Sequence, residues 1–259
     1  MSGVMRDMHV AGHRLEVLRH PPTGPDAATI VFLHEGLGSA RQWKDFPKRL
    51  SALCGCGVLT YSRWGYGGSD ARPRPWPADF LEAEATVVLP ELLAATGITR
   101  PVLFGHSDGG TIALMYATAV PDGVRGVIAE AAHVMLEDIS IQGITRARDR
   151  FLHGDLRERL DAQHGAHVED TVLGWTEYWL GAERRGWDIR ERLRGIHCPV
   201  LVIQGRDDDF RTLEQVEAIV SGVGGPAELL VLDACGHTPH RERQREVLDA
   251  AARFIERLR

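Results

Sequence analysis

Three short stretches of this chain hold the residue types of nucleophilic acyl chemistry. Residues 105–110 read Gly-His-Ser-Asp-Gly-Gly, residues 207–209 are three consecutive aspartates, and His237 stands in a glycine-bounded loop, Cys-Gly-His-Thr-Pro-His. A serine hydroxyl is a weak nucleophile until a base takes its proton, and the base needs a carboxylate to hold its tautomer. Ser107, His237 and one of Asp207, Asp208 and Asp209 would supply those parts, in the chain order serine, acid, histidine.

The surroundings of Ser107 sharpen this reading. Gly105 and Gly109 flank it at the spacing G-x-S-x-G, between an apolar run that ends at Phe104 and another that starts at Thr111. That placement predicts a tight strand-to-helix bend, with the glycines removing side chains where strand and helix crowd together. Ser107 would then sit in a strained backbone conformation with its hydroxyl presented. The backbone N–H of Asp108, at the helix start, would point toward a developing oxyanion.

Such a bend needs a framework. Short apolar runs rich in Val, Ile and Leu occur at residues 29–34, 57–62, 101–106, 124–131, 199–205 and 228–233, bounded by Gly, Pro or charge. They read as strands covered on both faces, preceded by a partly exposed strand at 13–20. Between them, Leu81, Ala85, Val88, Leu89, Leu92 and Leu93 fall on one helical face, as do Val247, Leu248, Ala251, Phe254, Ile255 and Leu258. The alternation predicts the α/β class: a mostly parallel central sheet flanked by helices. Residues 134–195 break it with helix-prone sequence, so the expected organisation is a core of 1–133 and 196–259 with a helical cap insertion at 134–195. An insertion at that junction lies over the carboxyl ends of the strands, where such sheets bind ligands.

Composition narrows the field. The 259 residues are 44% hydrophobic and 25% charged with a formal net charge of −6, which suits one sizeable globular core and gives no basic face for nucleic acid. No run approaches the roughly 20 apolar residues of a membrane span, and the first residues lack a secretory pattern. Cys54, Cys56, Cys198 and Cys235 lack paired spacing, so a reduced, cytoplasmic protein is expected. No cofactor and no metal is called for, and the expected partner is a small-molecule acyl substrate. Whether the chain is a monomer or a homodimer is open.

The residues quoted so far resemble the α/β-hydrolase family, and the resemblance covers nearly the whole chain. The family's oxyanion segment looks like residues 32–43, its next turn like residues 63–70, its nucleophile elbow like residues 105–110, and its acid and histidine loops like residues 205–210 and 236–240. The resemblance implies Ser107 as nucleophile, Asp208 as the acid, with Asp207 and Asp209 its nearest rivals, and His237 as base. It implies backbone N–H donors from Gly36 and Asp108, or from Leu37 in place of Gly36 if the loop register differs. Glu35 departs from the usual His-Gly pattern; a structural carboxylate accepting backbone N–H bonds is expected, with Arg63 or Arg41 as a pair. A serine in the nucleophile position excludes the epoxide- and halide-processing members, which use aspartate. What remains is hydrolysis of carboxylic esters, lactones or thioesters, carbon–carbon cleavage of activated diketones, or a quiet ligand-binding protein on the same fold.

Other residues invite roles with weaker support. The resemblance implies that His34 and His106 are structural imidazoles bonding backbone near the elbow, and His240 is expected as a solvent-facing residue on the next helix. Glu35, Leu37, His133, Trp175 and Trp179 are candidates for substrate contact. For His133 the alternative is a satisfied loop histidine. For Trp175 and Trp179, with Tyr178 and Trp187, it is the insertion's own small core. His164 and His167 have helical spacing without a supporting ligand set, so a solvated helix face is expected.

Overall fold

The computed structural model describes residues 4–22, 24 and 27–258. Its strands are β1 (Val4–Val10), β2 (His13–His20), β3 (Thr29–Leu33), β4 (Gly57–Tyr61), β5 (Val102–His106), β6 (Gly126–Glu130), β7 (Val200–Gly205) and β8 (Ala227–Leu232), forming one eight-stranded sheet in the order β1-β2-β4-β3-β5-β6-β7-β8. β2 pairs antiparallel with both β1 and β4, and every pairing from β4 through β8 is parallel. This is the expected α/β class. β1 lies outside the expected strand set; its sequence, Val-Met-Arg-Asp-Met-His-Val, lacks the continuous apolar run that marks a covered strand.

The helices, in chain order, are α1 (Phe46–Cys54), α2 (Phe80–Ala83), α3 (Leu89–Thr96), α4 (Asp108–Ala119), α5 (Asp138–His153), α6 (Leu156–His164), α7 (Val168–Leu180), α8 (Leu213–Gly222), α9 (Pro239–Glu242) and α10 (Gln244–Glu256). The sheet's pleat divides the core in two. Ile30, Phe32, Phe104, Leu201 and Ile203 face a layer containing Phe46 of α1 and Phe254 of α10. Val31, Leu33, Leu103, Val200 and Val202 face the other layer, with Leu92 of α3, Ile112 of α4 and Val216 of α8. Alternate residues of one strand thus serve opposite layers.

Two expectations need correction. The stripe from Leu81 to Leu93 is not one regular helix, because a π-helical turn at Glu84–Val88 separates α2 from α3. Pro90, in the first turn of α3, has no N–H for the carbonyl four residues back, and the helix widens there. β8 is not covered on both faces either: it is the sheet's edge, with Glu228 and Leu229 exposed, and Arg257 pairs with Glu228. An edge strand has a partner on one side only, and flanking charge discourages further pairing.

Between β6 and β7, α5, α6 and α7 pack on one another around Phe151, Leu160, Val168 and Val172. Trp175, Tyr178 and Trp179 do not join that small cluster; they extend the main core. These helices are thereby anchored to the sheet layer by their aromatics, while their own shared centre is aliphatic apart from Phe151.

Candidate active site

Ser107 joins β5 to α4 with φ 53° and ψ −117°, a left-handed φ that costs a non-glycine residue of order 1–3 kcal/mol unless its surroundings hold it. They do. The N–H of Ser107 donates to the Glu130 carbonyl at 2.8 Å, and its own carbonyl accepts from the N–H of Thr111 at 3.1 Å. The flanking glycines leave no room for a side chain: a Cβ on Gly105 would lie 2.2 Å from the Gly109 carbonyl oxygen, and one on Gly109 would lie 2.0 Å from the Leu33 carbonyl oxygen. The Ser107 hydroxyl makes no helix-capping bond.

That hydroxyl faces His237, Oγ to Nε2 at 3.1 Å. On the other side of the ring, Nδ1 lies 2.8 Å from Asp208 Oδ2. A carboxylate only accepts, so Nδ1 carries the proton and Nε2 is left to accept from the serine. Asp208 is fixed in turn by Gln204 Nε2 at 2.7 Å and the Phe210 N–H at 2.8 Å. Burial pushes its carboxyl upward, but His237, the Phe210 N–H and Arg211 outweigh this and hold it below the ordinary aspartate value. Of the three consecutive aspartates, Asp208 is the one bonded to the imidazole; Asp207 is exposed, and Asp209 binds Arg146 at the surface. The three groups come from the ends of β5, β7 and β8.

The segment after β3 passes beside the elbow. His34 donates from Nδ1 to the Glu35 carbonyl at 2.7 Å and accepts the Arg63 N–H on Nε2 at 3.1 Å, while Arg63 Nη2 donates to the same Glu35 carbonyl at 2.8 Å. Arg63 therefore grips the backbone at Glu35 and not its carboxylate. Arg41 is engaged with Glu16, so neither expected ion pair forms. The Glu35 carboxylate accepts from the side chain of Gln42. Burial pushes it upward, yet His106 and His237 nearby draw it below the usual glutamate range.

A cavity of about 680 Å³ opens beside His237. Glu35 and Leu37 line it, with Phe210 and Leu160 as apolar walls and Arg146, Arg150, Arg159 and Arg241 as cations. His133, Trp175 and Trp179 are buried. His133 Nδ1 accepts from Arg211 Nη2 at 3.1 Å, and its Nε2 lies 3.7 Å from Asp108 Oδ1. The Trp175 indole N–H donates to Asp108 Oδ2 at 2.9 Å.

Several histidines stand differently from expectation. His240 is on α9, as expected, but it is buried and its Nδ1 lies 2.6 Å from Glu130 Oε1; the ring packs against Trp43. His164 is buried, not solvated: its Nδ1 accepts the Gly67 N–H and its Nε2 donates to the Leu37 carbonyl, both at 2.9 Å. Glu130 escaped notice, although a carboxylate ending the apolar strand Gly-Val-Ile-Ala-Glu had to find a buried partner. Among the described residues, His106, Glu130 and His240 have ligand atoms within 4.8 Å of one another. His106 Nε2 is bonded to the His237 carbonyl and Glu130 Oε1 to His240, while Glu130 Oε2 is buried without a hydrogen-bond partner. No described helix is long and apolar enough to cross a membrane.

Comparison with known proteins agrees with this architecture. The sequence model described as "Alpha/beta hydrolase family" matches residues 30–250. The 2-succinyl-6-hydroxy-2,4-cyclohexadiene-1-carboxylate synthase of Salmonella enteritidis PT4 is 28% identical over 263 residues, covering 92% of this chain and 97% of that protein. Among solved structures, the enol-lactonase of Burkholderia xenovorans superposes with a TM-score of 0.77 at 20% identity, over 97% of this chain and 100% of that one. A serine hydrolase of Cycloclasticus zankles does so with a TM-score of 0.81 at 16% identity, over 98% of both chains.

Proposed function

Because the chain belongs to the alpha/beta hydrolase family, we propose that it is a serine hydrolase acting on a small-molecule carboxylic ester, lactone or thioester through an acyl-enzyme. The observation that carries this reading is the Ser107 hydroxyl 3.1 Å from His237 Nε2, on a ring whose Nδ1 proton is held by Asp208 at 2.8 Å. Ser107 Oγ attacks the acyl carbonyl while its proton passes to His237 Nε2. Asp208, ionised, stabilises the resulting imidazolium. The N–H groups of Asp108 and Gly36 receive the negative charge on the former carbonyl oxygen. Collapse of the tetrahedral species expels the leaving group with the proton from His237. A water then repeats the sequence on the acyl-serine, returning the proton and releasing the acid.

Purified protein assayed against short-chain, aromatic and lactone substrates tests this reading. At least one is expected to turn over, with Ser107→Ala reducing kcat by about 10³-fold or more. Hydrolysis of vinylogous diketones in place of esters would reassign the reaction to carbon–carbon cleavage. Correctly folded protein inert toward the whole panel would point to a ligand-binding role.

A second reading concerns the substrate's charge. Four guanidinium groups and three carboxylates, Glu35, Asp209 and Glu242, line the cavity beside His237, with Arg146 paired to Asp209 and Arg150 and Arg159 to Asp155, and the Salmonella relative is named for a cyclohexadiene carboxylate. The guanidinium groups and that name favour a substrate bearing a carboxylate remote from the reacting carbon. Paired neutral and carboxylated esters of the same alcohol distinguish the two, since an anionic acyl chain would lower KM if Arg146, Arg150, Arg159 and Arg241 receive it.

A further inference from the structure

Both groups assigned above to the oxyanion belong to residues that touch one cap side chain. Trp175 lies on α7, and its indole N–H donates to Asp108 Oδ2 at 2.9 Å. The same ring lies over Gly36: a Cβ there would sit 2.2 Å from the indole nitrogen and 2.4 Å from Cε2. Asp108 is fully buried and Trp175 nearly so. A rigid, planar side chain is thus wedged between the two residues whose N–H groups must converge on one oxygen. A second cap residue supports the same loop, since His164 of α6 holds the Leu37 carbonyl and the Gly67 N–H.

From the core side, Asp108 faces His133 Nε2 at 3.7 Å, and that ring is held by Arg211 and Thr111. The loop is held from the core by Arg63. Core groups thus hold each donor residue from one side and the cap holds them from the other. The mechanism uses only the N–H of Asp108, the acid in the first turn of α4. A buried carboxylate beside a developing oxyanion is unfavourable in itself, so its presence calls for another use.

We infer that Trp175 is a positioning residue for the oxyanion hole, its indole setting the separation of the Gly36 and Asp108 N–H groups, so that the hole is complete only with the cap seated. This rests on the serine-hydrolase reading. The effect acts on the transition state, where the charge develops, more than on substrate binding. Misplacement of a donor by about 1 Å is enough to cost on the order of 10²-fold in rate.

The test uses the full chain, p-nitrophenyl acetate as substrate and a fluorophosphonate as probe, with thermal melts to verify folding. Trp175→Phe keeps an aromatic ring at this position but removes the indole N–H and the nitrogen that approaches Gly36. It is expected to lower kcat by about 10–100-fold with KM within about threefold, and to slow fluorophosphonate labelling by a similar factor. Asp108→Leu removes the same bond from the other end and is expected to match it. Asp108→Asn, whose amide oxygen still accepts from the indole, is expected to regain most of what Asp108→Leu loses. The double variant Trp175→Phe/Asp108→Leu is expected to be no slower than the worse single variant.

If Trp175→Phe does not fold, the Leu and Asn variants at 108 decide alone. A folded Trp175→Phe enzyme with kcat within twofold of the unsubstituted chain overturns the inference, as do losses that multiply in the double variant. An unsubstituted chain that neither hydrolyses the ester nor takes the label overturns the serine-hydrolase reading, and the inference with it.

Discussion

His106, the residue before the serine, donates from Nε2 to the main-chain carbonyl of His237 across 2.7 Å. The bond joins the elbow to the loop that carries the imidazole, 131 positions apart in the chain. Behind it, His240 and Glu130 close a buried cluster: Glu130 accepts the His240 N–H at 3.1 Å and is bonded to the ring at 2.6 Å. The position of His237 relative to Ser107 is therefore fixed from beneath as well as by Asp208.

Loss of this tether is expected to show in turnover. His106→Phe fills similar space but cannot donate. A neutral hydrogen bond is worth about 0.5–1.5 kcal/mol, so kcat is expected to fall by up to about tenfold, with KM little changed. Steady-state kinetics on an accepted ester check this, and His106→Gln, which keeps a donor, is expected to lose less.

Acid sensitivity follows from the buried imidazoles. Burial pushes His106 and His164 down to about 4 from an ordinary 6.5, and His34 and His133 are held well below it by burial and by Arg63 and Arg211 respectively. Between pH 6.5 and 4 the unfolded chain binds protons that the folded chain refuses, so stability falls as pH falls through that window. Each such group contributes about 1.4 kcal/mol per pH unit once below its unfolded value. Urea unfolding at pH 7 and pH 5 is expected to show a marked loss. In His164→Gln, which keeps a donor and an acceptor for Leu37 and Gly67, the loss is expected to be smaller by about 2 kcal/mol. An unchanged pH dependence contradicts this.

The close approach of β3 to the elbow makes Gly109 intolerant of a methyl group. With backbone 2.0 Å from the added Cβ, one segment must move, at a cost of about 3 kcal/mol or more. Gly109→Ala is expected to lower Tm by about 6–12 °C and to abolish measurable hydrolysis. Gly195→Ala, where the nearest atom is a threonine methyl at 3.3 Å, is expected to stay within about 1 kcal/mol. Differential scanning calorimetry of the two variants checks the contrast.

Much of the framework was legible because it repeats. Apolar runs mark β3 through β7, and three separate loops supply a hydroxyl, a carboxylate and an imidazole in the expected chain order. What escaped depends on register between distant segments. Glu130 meets His240 across 110 positions, and His164 reaches Leu37 across 127; no local pattern encodes either meeting. The partner of Glu35 is instead local: Gln42, seven positions on, donates to its carboxylate, while Arg41 turns to Glu16 and Arg63 to the main-chain carbonyls of His34 and Glu35. The π-helical turn was encoded locally by Pro90, within a stripe whose apolar spacing is otherwise helical.

The central claim is that Ser107 is a nucleophile activated by His237. Its most direct test is intact-mass measurement of the chain after brief exposure to a fluorophosphonate, followed by peptide mapping. One stoichiometric adduct on Ser107 is expected, slowed by at least about 10³-fold in His237→Ala. A folded chain that takes no adduct, or carries it on another residue, contradicts the account.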